Sequence, residues 1–450
     1  MNEKIKNNPH FDSYYDAVVI GAGNGGLSAA LQLSIDNARV LLLEQHNLPG
    51  SGQNKGFMRK FLQDKGGVDV EFMPVPEAYH LILTDEGINI KIPFGVEKFI
   101  ETIAAAVPGS REPLERYMQT CKETFGAISY ISRKNGAPDP KVLMEEYPSF
   151  MVTAGYTVKQ VTDTFGIPDR ALDMIYPYWS YLGIPVNRLS FTIWALVLYN
   201  YILKGAHIPR YTSHGMSAAI DARIRELGGR TEYSTRVTRI FVEEGRVVGV
   251  ETAAGERIGT PYVIANLAPN MVYGRLIDDR NKVPEDAYRL INARKIGASA
   301  FVVYLGLDAS PDELGIESYG YFIGASMDTE KAYKNFFTFE APEMQAAICL
   351  NRTIPDCSPP GTTILSMTAL AGPDTWKDVR PEDYTRFKQE FAKVMIDQFS
   401  EATGAPLSDH IEEIEIATPQ TFARINVGTA GTVYQGTGFC RRIRLDRAWL

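Results

Sequence analysis

The chain has 450 residues, of which 45% are hydrophobic and 22% charged, and its net charge is −8. This composition is that of a globular protein rather than a disordered or fibrous one, and the length predicts at least two domains. The acidic balance, with no basic stripe along most of the chain, argues against a nucleic-acid partner.

The cysteines and histidines predict neither a disulfide framework nor a metal site. The six histidines are scattered without metal-binding spacing. The four cysteines, none in a CxxC pair, are Cys121, Cys349, Cys357 and Cys440. The polar N-terminus lacks the apolar segment of a signal peptide, and no apolar run reaches the roughly 18 residues of a membrane-spanning helix. We therefore expect a cytoplasmic protein.

The N-terminal region predicts a dinucleotide-binding turn. Residues 16–20, DAVVI, are typical of a parallel strand buried on both faces. The glycines of a GxGxxG motif follow, then a helical pattern, then a second strand at 39–44, RVLLLE. In such a turn Gly21 permits the tight bend, Gly23 allows the backbone to approach a pyrophosphate, and Gly26 lets the helix pack on the strand.

An acidic residue ends the second predicted strand, where a ribose would lie. The Glu44 carboxylate can accept hydrogen bonds from both ribose hydroxyls and would repel a 2′-phosphate, which disfavours NADP. The residues predicted to contact the cofactor here are Gly21, Ala22, Gly23, Asn24, Gly25, Gly26, Glu44 and Gln45. The motif by itself does not separate FAD from NAD.

The middle of the chain predicts short strands within 64–93 and helices within 95–134 and 158–203. Its longest apolar run, at 191–203, predicts a buried helix, with an interfacial or tunnel-lining helix as the alternative. Ordinary core packing and the lining of an apolar tunnel explain equally well a group of aromatic residues, which comprises Tyr176, Tyr178, Trp179, Tyr181, Phe191, Trp194, Tyr199 and Tyr201.

The region 208–269 predicts a second part of the dinucleotide-binding domain. A helix ending at Gly228 is followed by a strand through Val237, a hairpin turn at 244–245 and a return strand ending in Asn266. Beyond it we predict strands at 297–307, 318–325 and 364–370. An amphipathic helix is predicted at 383–403, ended by Gly404.

These segments resemble the phytoene desaturase, carotenoid isomerase and retinol saturase group of the FAD-dependent amine oxidase superfamily. The matching stretches include GAGNGGLSAALQL, VLLLEQHNLPG, GGRTEYSTRVTRI and YVIANLAP. The resemblance implies FAD as the cofactor, an adenine contact by the backbone of Val237, and a position of Asn266 beside the flavin. It also implies an apolar tunnel for a long isoprenoid or polyene.

The implied fold is α/β, with a Rossmann-like FAD-binding domain and an interleaved α+β substrate-binding domain. The FAD-binding domain is expected at 14–65 and 206–270, with a short, atypical C-terminal end at 426–450. The substrate domain is expected at 66–205 and 271–425.

The expected function is that of an FAD-dependent oxidoreductase acting on C–C bonds of an apolar polyene by desaturation, isomerisation or saturation. Two alternatives stay open: a flavin amine oxidase-like enzyme acting on a smaller polar substrate, and a non-catalytic dinucleotide-binding relative with an incomplete flavin site. The last is motivated by departures from the family after Gly50 and after Tyr434. Peripheral membrane contact is a further hypothesis.

No catalytic residue can be assigned, because a flavin performs the redox chemistry and the protein supplies position and electrostatics. Arg210, Tyr211 and His214 precede the predicted helix of the second FAD-binding segment and could face the flavin ring. The alternative for them is a surface or capping role.

Overall fold

The computed structural model describes residues 2–48, 61–277, 279–293 and 297–425. The chain forms two compact units, counting only the described residues of each. The first spans Met1–Met73 and His207–Arg294, and the second spans Pro74–Ala206 and Lys295–Leu450. The expected C-terminal end of the FAD-binding domain, 426–450, lies outside the described residues.

Strands and helices alternate irregularly along the chain. The strands are β1 (Ser13–Tyr14), β2 (Ala17–Ile20), β3 (Val40–Leu43), β4 (Phe72–Pro74), β5 (Tyr79–Leu83), β6 (Ile88–Ile92), β7 (His207–Pro209), β8 (Arg230–Glu232), β9 (Val237–Glu243), β10 (Arg246–Thr252), β11 (Arg257–Gly259), β12 (Val263–Ala265), β13 (Ser299–Leu307), β14 (Gly320–Gly324), β15 (Met344–Cys349), β16 (Thr363–Ala371) and β17 (Ile411–Ala417). The α-helices are α1 (Asn2–Lys6), α2 (Asn24–Ile35), α3 (Val96–Ala106), α4 (Arg111–Arg133), α5 (Pro140–Glu146), α6 (Pro148–Thr153), α7 (Val158–Thr162), α8 (Asp169–Ile175), α9 (Phe191–Lys204), α10 (Thr212–Glu226), α11 (Pro269–Met271), α12 (Glu285–Asn292), α13 (Thr329–Asn335), α14 (Pro381–Thr403) and α15 (Pro419–Ile425).

A four-stranded parallel sheet, in the order β12-β2-β3-β8, forms the centre of the first unit. All residues of β2 and β3 are buried, because the sheet is covered on both faces. On one face Val19 and Leu42 pack in the same core as Leu27 of α2 and Ile220 of α10. On the other face lies a second sheet, in the order β1-β11-β10-β9.

The second unit contains a seven-stranded sheet in the order β17-β13-β16-β15-β14-β5-β6. One face packs against α14, where Phe301 and Met367 share a core with Phe399. The opposite face contributes Leu81 and Phe322 to a larger core that includes the helices between residues 96 and 204. The sheet therefore separates two apolar cores.

Several predicted elements match the observed ones closely. The hairpin turn is confirmed at Glu244 and Gly245, whose φ angles of 49° and 73° are those of a tight turn between β9 and β10. The amphipathic helix is confirmed as α14, and Gly404 ends it in the left-handed conformation with φ 78°. The apolar run at 191–203 forms helix α9, as predicted.

The strand predicted to run through Val237 is wrong in one respect. The structure has two short strands, β8 and β9, with a break between them at 233–236. Ser234 in the break has a positive φ of 54°, so the chain turns out of the parallel sheet and enters the second sheet. Strands β15 and β17 are also present and were not predicted.

Within the described part of the chain, no helix combines the length and the apolarity needed to cross a membrane.

Candidate functional site

The predicted glycine turn connects β2 to α2. Gly21 has a φ of 95°, a backbone conformation that residues with a Cβ atom rarely adopt. A Cβ atom on Gly26 would lie 1.9 Å from the carbonyl oxygen of Gly21, so this position accepts only glycine. These two glycines bring the start of the helix against the end of the strand, as the motif predicts.

The N-terminus of α2 has the properties of an anion-binding site. Gly23 occupies the N-cap position and therefore supplies no side-chain cap, and no acidic residue lies in the first turn of the 12-residue helix. The amide groups and the dipole at this end are thus left without a compensating charge from the helix itself. A pyrophosphate fits these groups.

The Glu44 side chain is buried at the end of β3 and is directed at the turn. One carboxylate oxygen, Oε2, accepts a hydrogen bond from the backbone N–H of Ala22 at 2.6 Å, and Oε1 accepts one from the N–H of His46 at 2.9 Å. Each oxygen keeps a second lone pair with which it can accept from a ribose hydroxyl. Gln45 is exposed, and its amide contacts the ring of His46.

Asn266 lies against the same glycines. The backbone N–H of Asn266 donates to the carbonyl of Ile20 at 2.8 Å, which extends the pairing of β12 with β2. A Cβ atom on Gly21 would lie 3.1 Å from the Asn266 carbonyl oxygen, and one on Gly25 would lie 2.8 Å from its side-chain oxygen. The structure therefore brings together the turn, Glu44 and Asn266.

Val237 is buried at the start of β9. The chain just before it runs beside Glu44, since the N–H of Thr235 donates to the Glu44 carbonyl at 2.8 Å. The backbone that precedes Val237 is thus next to the strand end where the ribose is predicted.

Arg210, Tyr211 and His214 lie just before α10 or in its first turn. Arg210 lies 3.6 Å from Glu71 in an ion pair, Tyr211 is 75% exposed, and His214 is exposed on the first turn of α10. A role beside a flavin stays a prediction for these three residues. Of the segment after Gly50, residues 51–60 lie outside the described residues, whereas Phe61–Lys65 form one short helical turn. The chain beyond Tyr434 also lies outside the described residues.

The aromatic group is divided between core packing and the wall of a cavity. Phe191 and Trp194 are fully buried, and the indole N–H of Trp194 donates to the hydroxyl of Tyr117 at 2.7 Å. By contrast, Tyr181 is 46% exposed although it packs on Tyr178. Burial raises the pKa of Tyr181 to about 12.

A cavity of about 110 Å³ lies within the second unit, on the sheet face opposite α14. The residues that line it are Trp179, Ser180, Tyr181, Phe336, Met344, Gln345, Ala346, Ile348, Thr368 and Leu370. Among these lining residues none is charged. A ligand that fits this wall is therefore apolar or neutral, because an ion would lose its hydration without gaining a partner.

Comparison with known proteins gives a family match near the N-terminus and relatives that align over most of the chain. Residues 19–60 match the family model described as an NAD(P)-binding Rossmann-like domain. The chain is 24% identical to a chloroplastic prolycopene isomerase of Arabidopsis thaliana, over 95% of this chain and 76% of that protein. It is 22% identical to an all-trans-retinol 13,14-reductase of Danio rerio, over 93% and 77%.

The chain is a relative of these two enzyme groups. The predicted resemblance to the carotenoid isomerase and retinol saturase group of FAD-dependent oxidoreductases is thereby confirmed, and so is the prediction of an enzyme. A putrescine oxidase structure has a TM-score of 0.60 at 12% identity and covers 94% of this chain and 87% of its own. That likeness confirms the predicted α/β fold with a Rossmann-like domain.

The Rossmann-like turn of this relative of isomerases and reductases could be predicted from the sequence, but most residues of the cavity wall could not. Phe336, Ala346 and Thr368 come from segments far apart in the chain, and two of them lie on β15 and β16. The short, mostly apolar run MQAAIC at 344–349 could have indicated a strand, although not which of its faces lines a cavity.

Proposed function

We propose that the protein is an FAD-dependent oxidoreductase that desaturates, isomerises or saturates C–C bonds of a long apolar polyene. The observation that carries the substrate class is the uncharged, largely apolar wall of the cavity in the second unit. The names of the relatives, which act on prolycopene and all-trans-retinol, support the same class.

The proposed cofactor residues hold the ADP half of FAD. The N-terminus of α2 binds the pyrophosphate, Glu44 accepts hydrogen bonds from the ribose, and the backbone at Val237 contacts the adenine. Asn266 lies beside the flavin. When bound, the isoalloxazine accepts or donates the hydride, and no covalent nucleophile is required of the protein.

The protein's own contribution to the reaction is position and the exclusion of water. Apolar side chains at the cavity wall hold a substrate without hydrogen-bonding to it, and they leave no room for a hydration shell around the reacting bond. We propose that the first unit is the FAD-binding domain and that the second is the substrate domain.

The cofactor proposal is tested by the flavin absorbance spectrum of the purified protein and by titration with FAD. We expect bound flavin, and we expect Glu44→Gln to weaken FAD binding by at least about tenfold, because a hydrogen bond to a charged group contributes about 1.5–3 kcal/mol. Glu243→Gln, at an exposed position on β9, is the matched control. A colourless protein that gives no thermal shift with FAD would contradict the proposal.

The substrate proposal is tested by product analysis with a carotenoid, a retinoid and an amine. The amine oxidase alternative is favoured by the likeness to putrescine oxidase, which concerns the fold alone, and opposed by the absence of a charged residue from the described cavity wall. Oxidation of the amine without turnover of either polyene would favour the alternative. Bound flavin that no substrate reduces would favour a non-catalytic relative.

Peripheral membrane contact, which the lipophilic substrate class motivates, is tested by sedimentation with liposomes. Protein that stays in the supernatant would count against it.

A further inference from the structure

The indole of Trp179 presents a buried donor that nothing in the described chain accepts. Trp179 is 1% exposed and lines the cavity of the second unit, and its Nε1 atom has no hydrogen-bond partner among the described residues. Buried donors are nearly always paired, since an unpaired one loses its hydration without compensation. An unpaired donor at a cavity wall therefore points to an acceptor that the cavity receives.

The neighbouring aromatic ring does not provide that acceptor. Trp179 and Phe336 stack with their planes only 4° apart and their centroids separated by 5.7 Å. Because the indole N–H lies in the plane of its own ring, it does not point at the face of Phe336. The stack fixes the orientation of the indole and leaves the N–H directed along the ring plane.

The polar side chain of Gln345 is directed away from this cavity. Met344, Ala346 and Ile348 alternate with Gln345 along β15, so their side chains lie on the opposite face of the sheet from its amide. The Gln345 amide donates to the carbonyl of Met395 on α14 at 2.9 Å. Gln345 thus belongs to the other core.

The remaining polar side chains of the wall are hydroxyls. Ser180 donates to the carbonyl of Pro177 at 2.9 Å, and Thr368 is half-buried on β16. The Tyr181 ring is neutral and partly exposed. The wall thus combines apolar surface with one buried N–H donor, that of Trp179, which has no partner among the described residues, an arrangement that suits a hydrocarbon ending in one oxygen atom.

We propose that the cavity takes the oxygen-bearing end of a polyene, whose hydroxyl or carbonyl oxygen accepts the hydrogen bond of Trp179 Nε1. This inference rests on the proposed function and narrows its substrate class from polyenes in general to those with a terminal oxygen. A pure hydrocarbon of the same length leaves the donor unpaired and binds more weakly.

The test compares two ligands that differ by one oxygen atom. The full chain, reconstituted with FAD, is titrated with all-trans-retinol and with 15-deoxyretinol, each delivered from cyclodextrin, and bound ligand is measured by absorbance after ultrafiltration. We expect wild type to bind the alcohol about fivefold more tightly, because one hydrogen bond contributes about 1 kcal/mol. Trp179→Phe keeps the stack on Phe336 but removes the donor, and it should bring the ratio of the two affinities to about one.

Trp194→Phe is the matched control, because its indole N–H is already paired with Tyr117. It should lower the melting temperature and leave the affinity ratio unchanged. Trp179→Phe should lower the melting temperature less, because the donor that it removes has no partner among the described residues. If Trp179→Phe does not fold, Met344→Phe provides a second variant that fills the cavity from β15 and should abolish binding of retinol.

Three outcomes overturn the inference. A wild-type ratio near one, an unchanged ratio in Trp179→Phe, or retinol binding that survives in Met344→Phe would each do so while leaving the polyene class intact. Binding of neither ligand would instead remove the proposed substrate class itself.

Discussion

At the scale of single residues, the close approach of Gly26 to Gly21 restricts the choice of amino acid at position 26 to glycine. We expect Gly26→Ala to destabilise the first unit by about 3 kcal/mol, since the added methyl overlaps a backbone oxygen that cannot move without displacing β2. The loss of stability should be measurable as a lower melting temperature, and FAD binding should be lost as well.

Two other glycines provide controls of graded severity. At Gly25 a Cβ atom would meet the Asn266 side-chain oxygen, which can rotate away, so Gly25→Ala should have a smaller effect. Gly274 is exposed, and a Cβ atom added there would meet nothing within 4 Å, so Gly274→Ala should be neutral or slightly stabilising. Equal melting temperatures for Gly26→Ala and Gly274→Ala would show that the turn tolerates a side chain.

Residues of the turn could be predicted from the sequence because each has a local reason for its identity. Gly21 and Gly26 are required by backbone geometry, and Glu44 by its place at a strand end. The donor of Trp179 could not be predicted in this way. Whether an indole N–H is paired depends on Phe336 and on sheet residues more than 150 positions away.

At the scale of elements, α9 is anchored by Trp194, which is fully buried against α4 through Tyr117. We expect Trp194→Ala to destabilise the protein by about 3–5 kcal/mol, because it opens a large cavity and leaves a phenol unpaired. Leu203→Ala, on the exposed side of the same helix, should change stability by less than about 0.5 kcal/mol. Denaturant unfolding of both variants measures the difference. A loss of turnover with unchanged unfolding would instead support a tunnel-lining role for Trp194.

The turn after β5 is joined to α8 by hydrogen bonds from Arg170, and it brings the Glu86 carboxyl near Asp173. Arg170 of α8 donates to the carbonyls of Glu86 and Gly87 at 2.7 and 3.2 Å. Burial, and then the nearby Glu86 carboxyl, raise the pKa of Asp173 from 3.8 to about 7. Ionisation of Asp173 is thus less favourable in the folded protein than in the unfolded chain.

The raised pKa of Asp173 beside Glu86 predicts that stability depends on pH. Between pH 4 and 7 the folded state holds a proton that the unfolded state has lost, so the contribution of Asp173 to stability falls as pH rises and is constant above about 7. Asp173→Asn should therefore gain stability relative to wild type across this window. The expected gain is about 1 kcal/mol at pH 8, after allowance for solvent screening. Melting temperatures at pH 5 and pH 8 measure it.

The exposed Asp374→Asn provides a control, since Asp374 has 75% of its side chain in solvent. A gain in melting temperature for Asp173→Asn that is the same at pH 5 and pH 8 would contradict the proposed titration of Asp173.

The elements that could be predicted are those with a strong local pattern. The fully apolar β2 and β3, the hairpin between β9 and β10, and α14 with its terminal glycine all follow from periodicity and turn residues. The break between β8 and β9 was missed because a strand leaving one sheet for another has the same local composition as a continuous strand. The break is visible in the structure as the positive φ of Ser234. A serine in the sequence does not predict a positive φ.

At the scale of the whole molecule, ligand binding to the folded state should stabilise it. FAD at about a hundred times its dissociation constant should add about 2.7 kcal/mol to the free energy of unfolding. We expect ADP to raise the melting temperature less than FAD, and NADP⁺ to raise it least, because the buried Glu44 carboxylate repels a 2′-phosphate. Differential scanning fluorimetry compares the three, and a shift with NADP⁺ as large as that with FAD would contradict the assignment of Glu44.

The sequence by itself determined the Rossmann-like turn, the acidic strand end and the resemblance to a polyene-transforming group. These features depend on residues close together in the chain, where glycine geometry and strand periodicity leave few alternatives. Only the tertiary structure decided that Asn266 packs on the glycines and that the aromatic group divides into a core around Trp194 and a wall containing Trp179 and Tyr181. The reason is that a cavity is bounded by side chains from distant strands and helices, and its chemistry depends on which of their polar atoms the fold has already paired.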